Sequence, residues 1–394
     1  MKIGILTFHS QLNYGGILQC WALQAALEKM GHEVVVIDRW HNASNSLLEC
    51  GYNRFCLKPW LKFGIRSLLG LGDVNHWLRV RRTKKFLKSH INRTPYHFID
   101  WKDAPKDLGV DMLVIGSDQV WHCGDWGDPR PYLLDGAPNV SAIAYAASYG
   151  MKSLPQRLGI KDELAVLESE GVYKEGLKKF KAISCREKEG VDICVSLGFQ
   201  ATHVVDPTLL NYNGDQRETR ETKRLVCYFM DVPIYESLDL LEAFAAKNKC
   251  LVEIFSDAGI LSAMPKTSRE WMSRYADAIR RIGSRVRIRS SVGPKEFYEA
   301  FKSATYVISD SFHALMFSIL NNCNARIIRP SNEMRSRMFS RIAEFADHTT
   351  GPLIVNSLQE ALSSILAGES VTYDANWLQE RVEYSKGWIK ANIQ

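Results

Sequence analysis

No stretch of the 394 residues approaches the ~18–20 consecutive apolar residues that span a bilayer. The N-terminus has no h-region either. Met1-Lys2 runs straight into Ile3–Phe8, which is too short and reads as a buried strand, so no signal peptide is expected. The nine cysteines are an odd number, none forms a C-x-x-C pair, and several sit inside apolar runs. That argues against a disulfide framework and a zinc site, and for a cytoplasmic protein with reduced thiols and no metal. Low-complexity segments are absent, and so is any internal repeat beyond two similar halves. A large excess of one charge is missing too: 50 Lys and Arg stand against 44 Asp and Glu, net +6. That is too mild over this length to announce a nucleic-acid partner. With 46% apolar and 24% charged residues the chain is neither disordered nor fibrous, and its length fits two domains.

What is present is an alternation of strands and helices. Ile3–Phe8 reads as a strand, His9–Gly16 as a polar Gly-ended loop, and Ile17–Met30 as a helix stopped by Gly31. Glu33–Asp38 reads as a second, parallel strand. Residues 41–100 are basic, rich in Trp, Phe and Leu, and show no clear strand, so they read as a helical insert. From Asp111 the strands return, each ending in polar or small residues: Gly116-Ser117-Asp118, Ala147-Ser148-Tyr149-Gly150, Cys185-Arg186-Glu187 and Asp206-Pro207-Thr208. In an open parallel sheet such ends line one crevice, where ligands bind. Asn211–Lys223 is the best linker, and a second α/β alternation follows it. The expected fold class is α/β: two Rossmann-like domains in a GT-B-like arrangement with an interdomain cleft. The expected division is 1–210, 211–374 and a C-terminal helix within 375–394 that packs back on the first domain.

Several strand ends could carry chemistry. The loop His9-Ser10-Gln11-Leu12-Asn13-Tyr14-Gly15-Gly16 precedes a helix N-terminus, which favours anions. It lacks G-x-G-x-x-G, so a nicotinamide dinucleotide is weakly supported. Asp118 suits a base or a ligand for an acceptor hydroxyl, and equally a helix cap, with Trp121 as core. Arg186 can clamp a carboxylate or phosphate, or simply pair with Glu187 on the surface. Ser309-Asp310-Ser311-Phe312-His313 ends a buried strand and starts the apolar helix Leu315–Leu320. There Ser and Asp can cap the helix, and His313 lies in its first turn, where imidazolium is disfavoured, so it can stay neutral as a base or hydrogen-bond acceptor or simply serve as a cap. Arg329, Arg335, Arg337 and Arg341 follow the next strand and suit a multiply charged anion. Cys185 reads as core packing.

These motifs, in order, resemble the polysaccharide pyruvyl transferase family. The resemblance rests on Lys2–His9 with Asn13-Tyr14-Gly15, Leu18-Gln19 and Ala22-Leu23-Gln24, and on Gly116–Trp121 and Ser148-Tyr149-Gly150. Ser184 with Arg186-Glu187, Asp206-Pro207-Thr208 and Ser309–His313 complete it. It implies transfer of pyruvate from phosphoenolpyruvate to two hydroxyls of one sugar as a cyclic ketal, with no cofactor beyond that donor substrate. Arg186 and His313 match the family's arginine and histidine, and Asp118 joins them as the third catalytic candidate. Donor-binding candidates are Arg186, Ser311, Phe312, His313 and one of Arg329, Arg335, Arg337 and Arg341. Acceptor-binding candidates are His9, Asn13, Tyr14, Gly15, Gln119 and Trp121. The implied acceptor belongs to a surface-polysaccharide or cell-wall glycan precursor and can be lipid-linked.

A GT-B glycosyltransferase using a nucleotide sugar is the main alternative, since it shares the cleft and its demand for anions. A non-enzymatic scaffold is the other, and Arg186 and His313 argue against it. The charge has its own message. Residues 51–93 hold eleven Lys or Arg against one acid, 11 − 1 = +10, which leaves 6 − 10 = −4 on the rest. With Trp60, Phe63, Trp77 and Leu78 interleaved, that segment suits an anionic membrane surface at the inner face, or simply a basic helix face over apolar surface.

Overall fold

Short apolar runs separated by helical patterns build two wholly parallel sheets. The computed structural model describes residues 1–40, 74–123, 128–155, 169–214, 223–230, 234–256, 284–330 and 339–393. The expectations placed on 41–73, on linker residues 215–222 and on Arg335 and Arg337 lie outside them.

The first sheet contains β1 (Lys2–Leu6), β2 (Glu33–Arg39), β3 (Arg93–Phe98), β4 (Met112–Ile115), β5 (Ser141–Ala147), β6 (Ala182–Cys185) and β7 (Thr202–His203), ordered β3-β2-β1-β4-β5-β6-β7. Around it lie α1 (Tyr14–Lys29), α2 (Val74–His90), α3 (Ser169–Leu177) and α4 (Lys188–Ser196). Ile3 sits level with Val34 on one side and Met112 on the other. Helices on both faces explain why these strands are continuous apolar runs rather than alternating ones.

The second sheet contains β8 (Arg224–Phe229), β9 (Leu251–Ser256), β10 (Val286–Ile288), β11 (Tyr306–Ser309), β12 (Asn324–Ile328) and β14 (Ile354–Val355), ordered β10-β9-β8-β11-β12-β14. With it go α5 (Ile234–Asn248), α6 (Pro294–Ser303), α7 (Phe312–Leu320), α8 (Ser340–Ala346), α9 (Leu358–Leu366) and α10 (Ala375–Asn392). A small antiparallel pair, β13 (Thr349–Thr350) with β15 (Thr372–Tyr373), lies beside them.

Two corrections concern elements. Residues 41–100 are not all helical insert, because Arg93–Phe98 forms β3 beside β2. It is an edge strand, which tolerates Pro95 and a polar sequence with only Thr94 and Phe98 buried, so no apolar run announces it. Helix α7 starts at Phe312 rather than Leu315, and His313 lies in its first turn as expected.

The two Rossmann-like lobes face each other across a cleft, the GT-B-like arrangement. Helix α1 is the wall between them. Tyr14 stacks on Phe297 at 4.3 Å and donates its hydroxyl to the Val292 carbonyl at 2.9 Å, so one residue of the first lobe is packed into the second. Helix α10 returns to the first lobe, where the Val205 N–H donates to Ser385 Oγ and Arg381 Nη2 donates to the His203 carbonyl. Strand order reverses direction between β1 and β4 in one sheet and between β8 and β11 in the other. Both switch points open on the same cleft.

Candidate functional site

The cleft has a cavity of about 90 Å³. The first lobe supplies Phe8, Gln11 and Asn13 from the loop after β1, and Asp118 and Gln119 from the loop after β4. The second supplies Tyr228 near the end of β8 and Met230 just after it, Ser311, Phe312 and His313 at the start of α7, and Arg341 on α8. Two helix N-termini meet here. Asn13 caps α1 through its side chain, accepting from the Gly16 N–H at 3.2 Å. The Ser311 side chain makes no capping bond to α7, Ser309 Oγ accepts from the Ser311 N–H, and Asp310 Oδ1 accepts from the Met230 N–H at 2.7 Å. The first turn of α7 opens on the cleft, and a helix N-terminus favours an anion there.

Arg186 lies directly below this cleft with its side chain fully buried. Its Nη1 donates to Asp206 Oδ2 at 2.9 Å and its Nε to Glu187 Oε1 at 2.8 Å. Nη2 lies 3.6 Å from Asp118 Oδ1 and makes no hydrogen bond among the described residues. Its carboxylate neighbours raise Arg186 further above its ordinary value, against the opposing effect of burial. The same guanidinium lies 4.8 Å from the Phe312 ring centroid, and so does that of Arg341. Arg341 reaches Glu187 Oε1 at 3.7 Å, and its Nε is a second buried donor with no hydrogen-bond partner. Burial and the Arg186 charge lower Arg341 to about 10.

His313 provides the third unpartnered atom, Nε2. Burial lowers its pKa below the ordinary 6.5; Asp118 and Asp206 oppose that shift, and Arg186 and Arg341 add to it. The imidazole is therefore neutral near pH 7 and can accept a proton. Its ring rests on Gly15 of α1. A Cβ on Gly15 would stand 2.2 Å from His313 Nδ1. Asp118 holds a left-handed backbone (φ 77°), with Oδ1 accepting from the Gln119 N–H at 2.9 Å. Backbone strain of this kind is found at positions that must aim a side chain.

The structure thus brings together Arg186, His313, Asp118, Ser311, Phe312, Arg341, Asn13 and Gln119. It separates others. Tyr14 is lobe-interface core, as described above. Trp121 is core as well, its indole N–H donating to the Tyr132 carbonyl at 3.2 Å. His9 is turned inward, with Nε2 2.9 Å from Asp38 Oδ1 and Nδ1 3.1 Å from the Thr7 carbonyl. Gly15 meets the site only as the floor under His313. Arg329 is exposed, with its guanidinium 5.5 Å from the Phe339 ring. Of the four downstream arginines, Arg341 is the one that lines the cleft among the described residues. Two residues outside the sequence candidates belong with them. Asp206 is the buried counterion of Arg186, and Ser117 donates to it at 2.9 Å. Asp206-Pro207-Thr208 was the available signal. Glu187, an alternative surface partner by sequence, is instead buried between two arginines.

A larger groove of about 800 Å³ runs between α2 and α6. Several of its charges are paired with one another, Glu253 with Arg224 and Arg289, and Glu296 with Arg82. Part of the basic segment is also used internally: Arg79 is buried and donates to the Leu12 carbonyl at 2.9 Å, and Arg82 donates to the Ser291 carbonyl at 2.7 Å. Among the described residues, no cluster of three His, Cys, Asp or Glu is arranged to hold a metal ion. No described helix is long and apolar enough to cross a membrane.

A family model described as polysaccharide pyruvyl transferase matches residues 13–332. A search among curated proteins finds no match. Among solved structures, the chain is similar to a UDP-N-acetylglucosamine 2-epimerase from Rickettsia bellii, at 10% identity and TM-score 0.48, covering 100% of this chain and 95% of that one. It is also similar to the glycosyltransferase SsfS6 of Streptomyces sp. SF2575 (13%, TM-score 0.38, 100% of both chains) and to Acinetobacter baumannii MurG (10%, 0.42, 93% and 90%). These are likenesses of chain path, and no activity is carried over from them.

Proposed function

Because the chain belongs to the polysaccharide pyruvyl transferase family, we propose that it moves pyruvate from phosphoenolpyruvate onto two hydroxyls of one sugar in a surface-polysaccharide or cell-wall glycan precursor. One observation carries this reading. Three buried atoms with no hydrogen-bond partner among the described residues, Arg186 Nη2, Arg341 Nε and Nε2 of the neutral His313 ring, gather by the cleft on which the N-terminus of α7 opens. A small ligand with both a phosphate and a carboxylate suits that set.

In the proposed reaction Arg341 and the α7 N-terminus hold the charged groups of the donor, and Arg186 supports them from below. Protonation at C3 makes C2 electrophilic. One sugar hydroxyl adds to C2, the C–O bond to phosphate breaks, and the second hydroxyl closes the ketal. One hydroxyl proton balances the new methyl group and the other leaves with phosphate. Neutral His313 accepts the hydroxyl proton and Asp118 orients the acceptor. Asn13 and Gln119 line the acceptor side.

Two measurements test this. Phosphoenolpyruvate should raise the melting temperature and nucleotide sugars should not; stabilisation only by a nucleotide sugar would replace this reading with a glycosyltransferase. The rate should fall on the acid side, below pH 6.5, where His313 becomes protonated. A flat acid side in the wild type would remove His313 as the base.

The acceptor can be lipid-linked, with the enzyme peripheral at the inner membrane surface. Arg81, Lys85 and Lys88 are exposed on α2 and support that part of the proposal. Sedimentation with vesicles of anionic lipid measures it.

A further inference from the structure

Helix α8 carries Arg341 into the cleft, and three residues on, along the same side of the helix, it carries Glu344. Glu344 Oε2 lies 3.4 Å from Nε2 of His203, at the end of β7 in the other lobe. That same Nε2 lies 3.2 Å from the backbone carbonyl of Arg186. Both neighbours of Nε2 are acceptors, so this nitrogen carries a proton and donates. Arg381 of α10 fixes the His203 backbone by donating to its carbonyl at 3.1 Å. The α8 helix is thus joined to the first lobe on either side of Arg186, through Arg341 to Glu187 and through Glu344 to His203.

We propose that His203 and Glu344 are a positioning pair that latches the two lobes and holds Arg341 facing Arg186 for the donor. Neither lines the cleft or contacts the reacting groups. Their work is to set the distance between two guanidiniums that arrive on different lobes. Such guanidiniums repel each other, and among the described residues Glu187 is the carboxylate paired with both, at 3.7 Å on the Arg341 side. A second tie beyond Arg186 keeps α8 from swinging away. Glu344 is half-buried in making it, and that partial burial raises its carboxyl above the ordinary value, offset by His203, Arg381 and His348 and reinforced by Glu189. Apolar contacts also support α8: Ile342 and Phe345 sit in the core, and Phe345 meets Trp377 edge-on.

The inference rests on the phosphoenolpyruvate reading for its kinetic arm, and the test keeps the two apart. His203→Ala and Glu344→Ala should each raise KM for phosphoenolpyruvate roughly fivefold to tenfold while kcat changes by less than about threefold. Because the residues act through each other, the double variant should be no worse than the worse single one. Glu344→Gln keeps an acceptor for His203 and should recover most of the loss. In the ligand-free proteins, amide exchange across 340–346 should quicken in both alanine variants. A purely structural role would lower the melting temperature without this split between KM and kcat. Unchanged KM and unchanged exchange, or effects that simply add, would overturn the latch. If instead the wild type fails to bind phosphoenolpyruvate, the functional reading falls, and exchange at 340–346 still decides for or against the latch.

Discussion

Arg186→Ala should abolish pyruvyl transfer and, in the same step, cost the first lobe much of its stability. The side chain is fully buried and is the shared partner of Asp206 and Glu187, with Asp118 close by. Deleting it strands carboxylates that cannot reach water, and breaking a buried pair in this way costs about 3–5 kcal/mol. Asp206 reports the same balance. Burial pushes its pKa up, yet Arg186, His313 and the Thr208 hydrogen bonds bring it below the ordinary value. In the wild type that contribution is present above the unfolded carboxylate value and fades as pH falls through the folded one. In the variant the sign reverses. The stranded Asp206 binds a proton more readily than it does unfolded, so the stability deficit is largest at neutral pH and narrows on acidification. Arg186→Lys separates the two roles. It restores one positive charge, and so part of the stability, but not the fork that meets Asp206, Glu187 and the cleft together. Activity should stay at least about 10²-fold down in the lysine variant. Melting curves from pH 5 to 8 with single-turnover assays would show this. An alanine variant that melts like the wild type would mean that the carboxylates find other partners.

What the sequence made legible follows from how locally each feature is encoded. The β1-α1-β2 unit, the polar strand ends and the terminal helix depend on periodicity and on residues such as Gly31, and these read directly. Arg186, His313 and Asp118 needed the family resemblance to single them out, since local sequence reads them equally as ion pair or caps; a parallel sheet then delivers its strand ends to one side. Strand β3 did not read directly, because edge pairing needs little apolar sequence. Tyr14 and Trp121 were placed near the acceptor because they belong to polar loops; which neighbour an aromatic ring meets is decided by packing between elements far apart in the chain. Val292, which takes the Tyr14 hydroxyl, is 278 residues away. His203 and Glu344 have no motif at all, and only the closure of one lobe on the other brings them together. Glu187 shows the reverse error. A charged residue after an arginine is most often a solvated partner, and here tertiary burial makes it the bridge between two arginines.

The second large effect comes from a residue with no side chain. Gly15→Ala should inactivate the enzyme about as thoroughly as losing His313. A Cβ at position 15 would meet three atoms of that imidazole, Nδ1 at 2.2 Å, Cγ at 2.5 Å and Cε1 at 2.8 Å. No adjustment of a few tenths of an ångström relieves this. Gly15 is fixed in the first turn of α1, which Tyr14 anchors into the second lobe, and His313 is fixed in the first turn of α7. Either the ring moves or the lobes part. A displacement near 1 Å at the reacting groups costs about 10²-fold in rate, and overpacking of this sort costs about 1–3 kcal/mol of stability. Gly16→Ala is the matched control on the same helix. Its Cβ would meet Asp118 Oδ2 at 3.1 Å, the far end of a side chain, so a smaller loss is expected there. The decisive comparison is the double variant Gly15→Ala with His313→Ala. Removing the imidazole removes what the new methyl strikes, so the double variant should regain the melting temperature lost by Gly15→Ala while keeping the low activity of His313→Ala. That non-additivity marks two residues acting at one point of contact. If the double variant instead shows the full sum of both stability losses, the glycine serves α1 itself, and the contact between the first turns of α1 and α7 is not what places the imidazole.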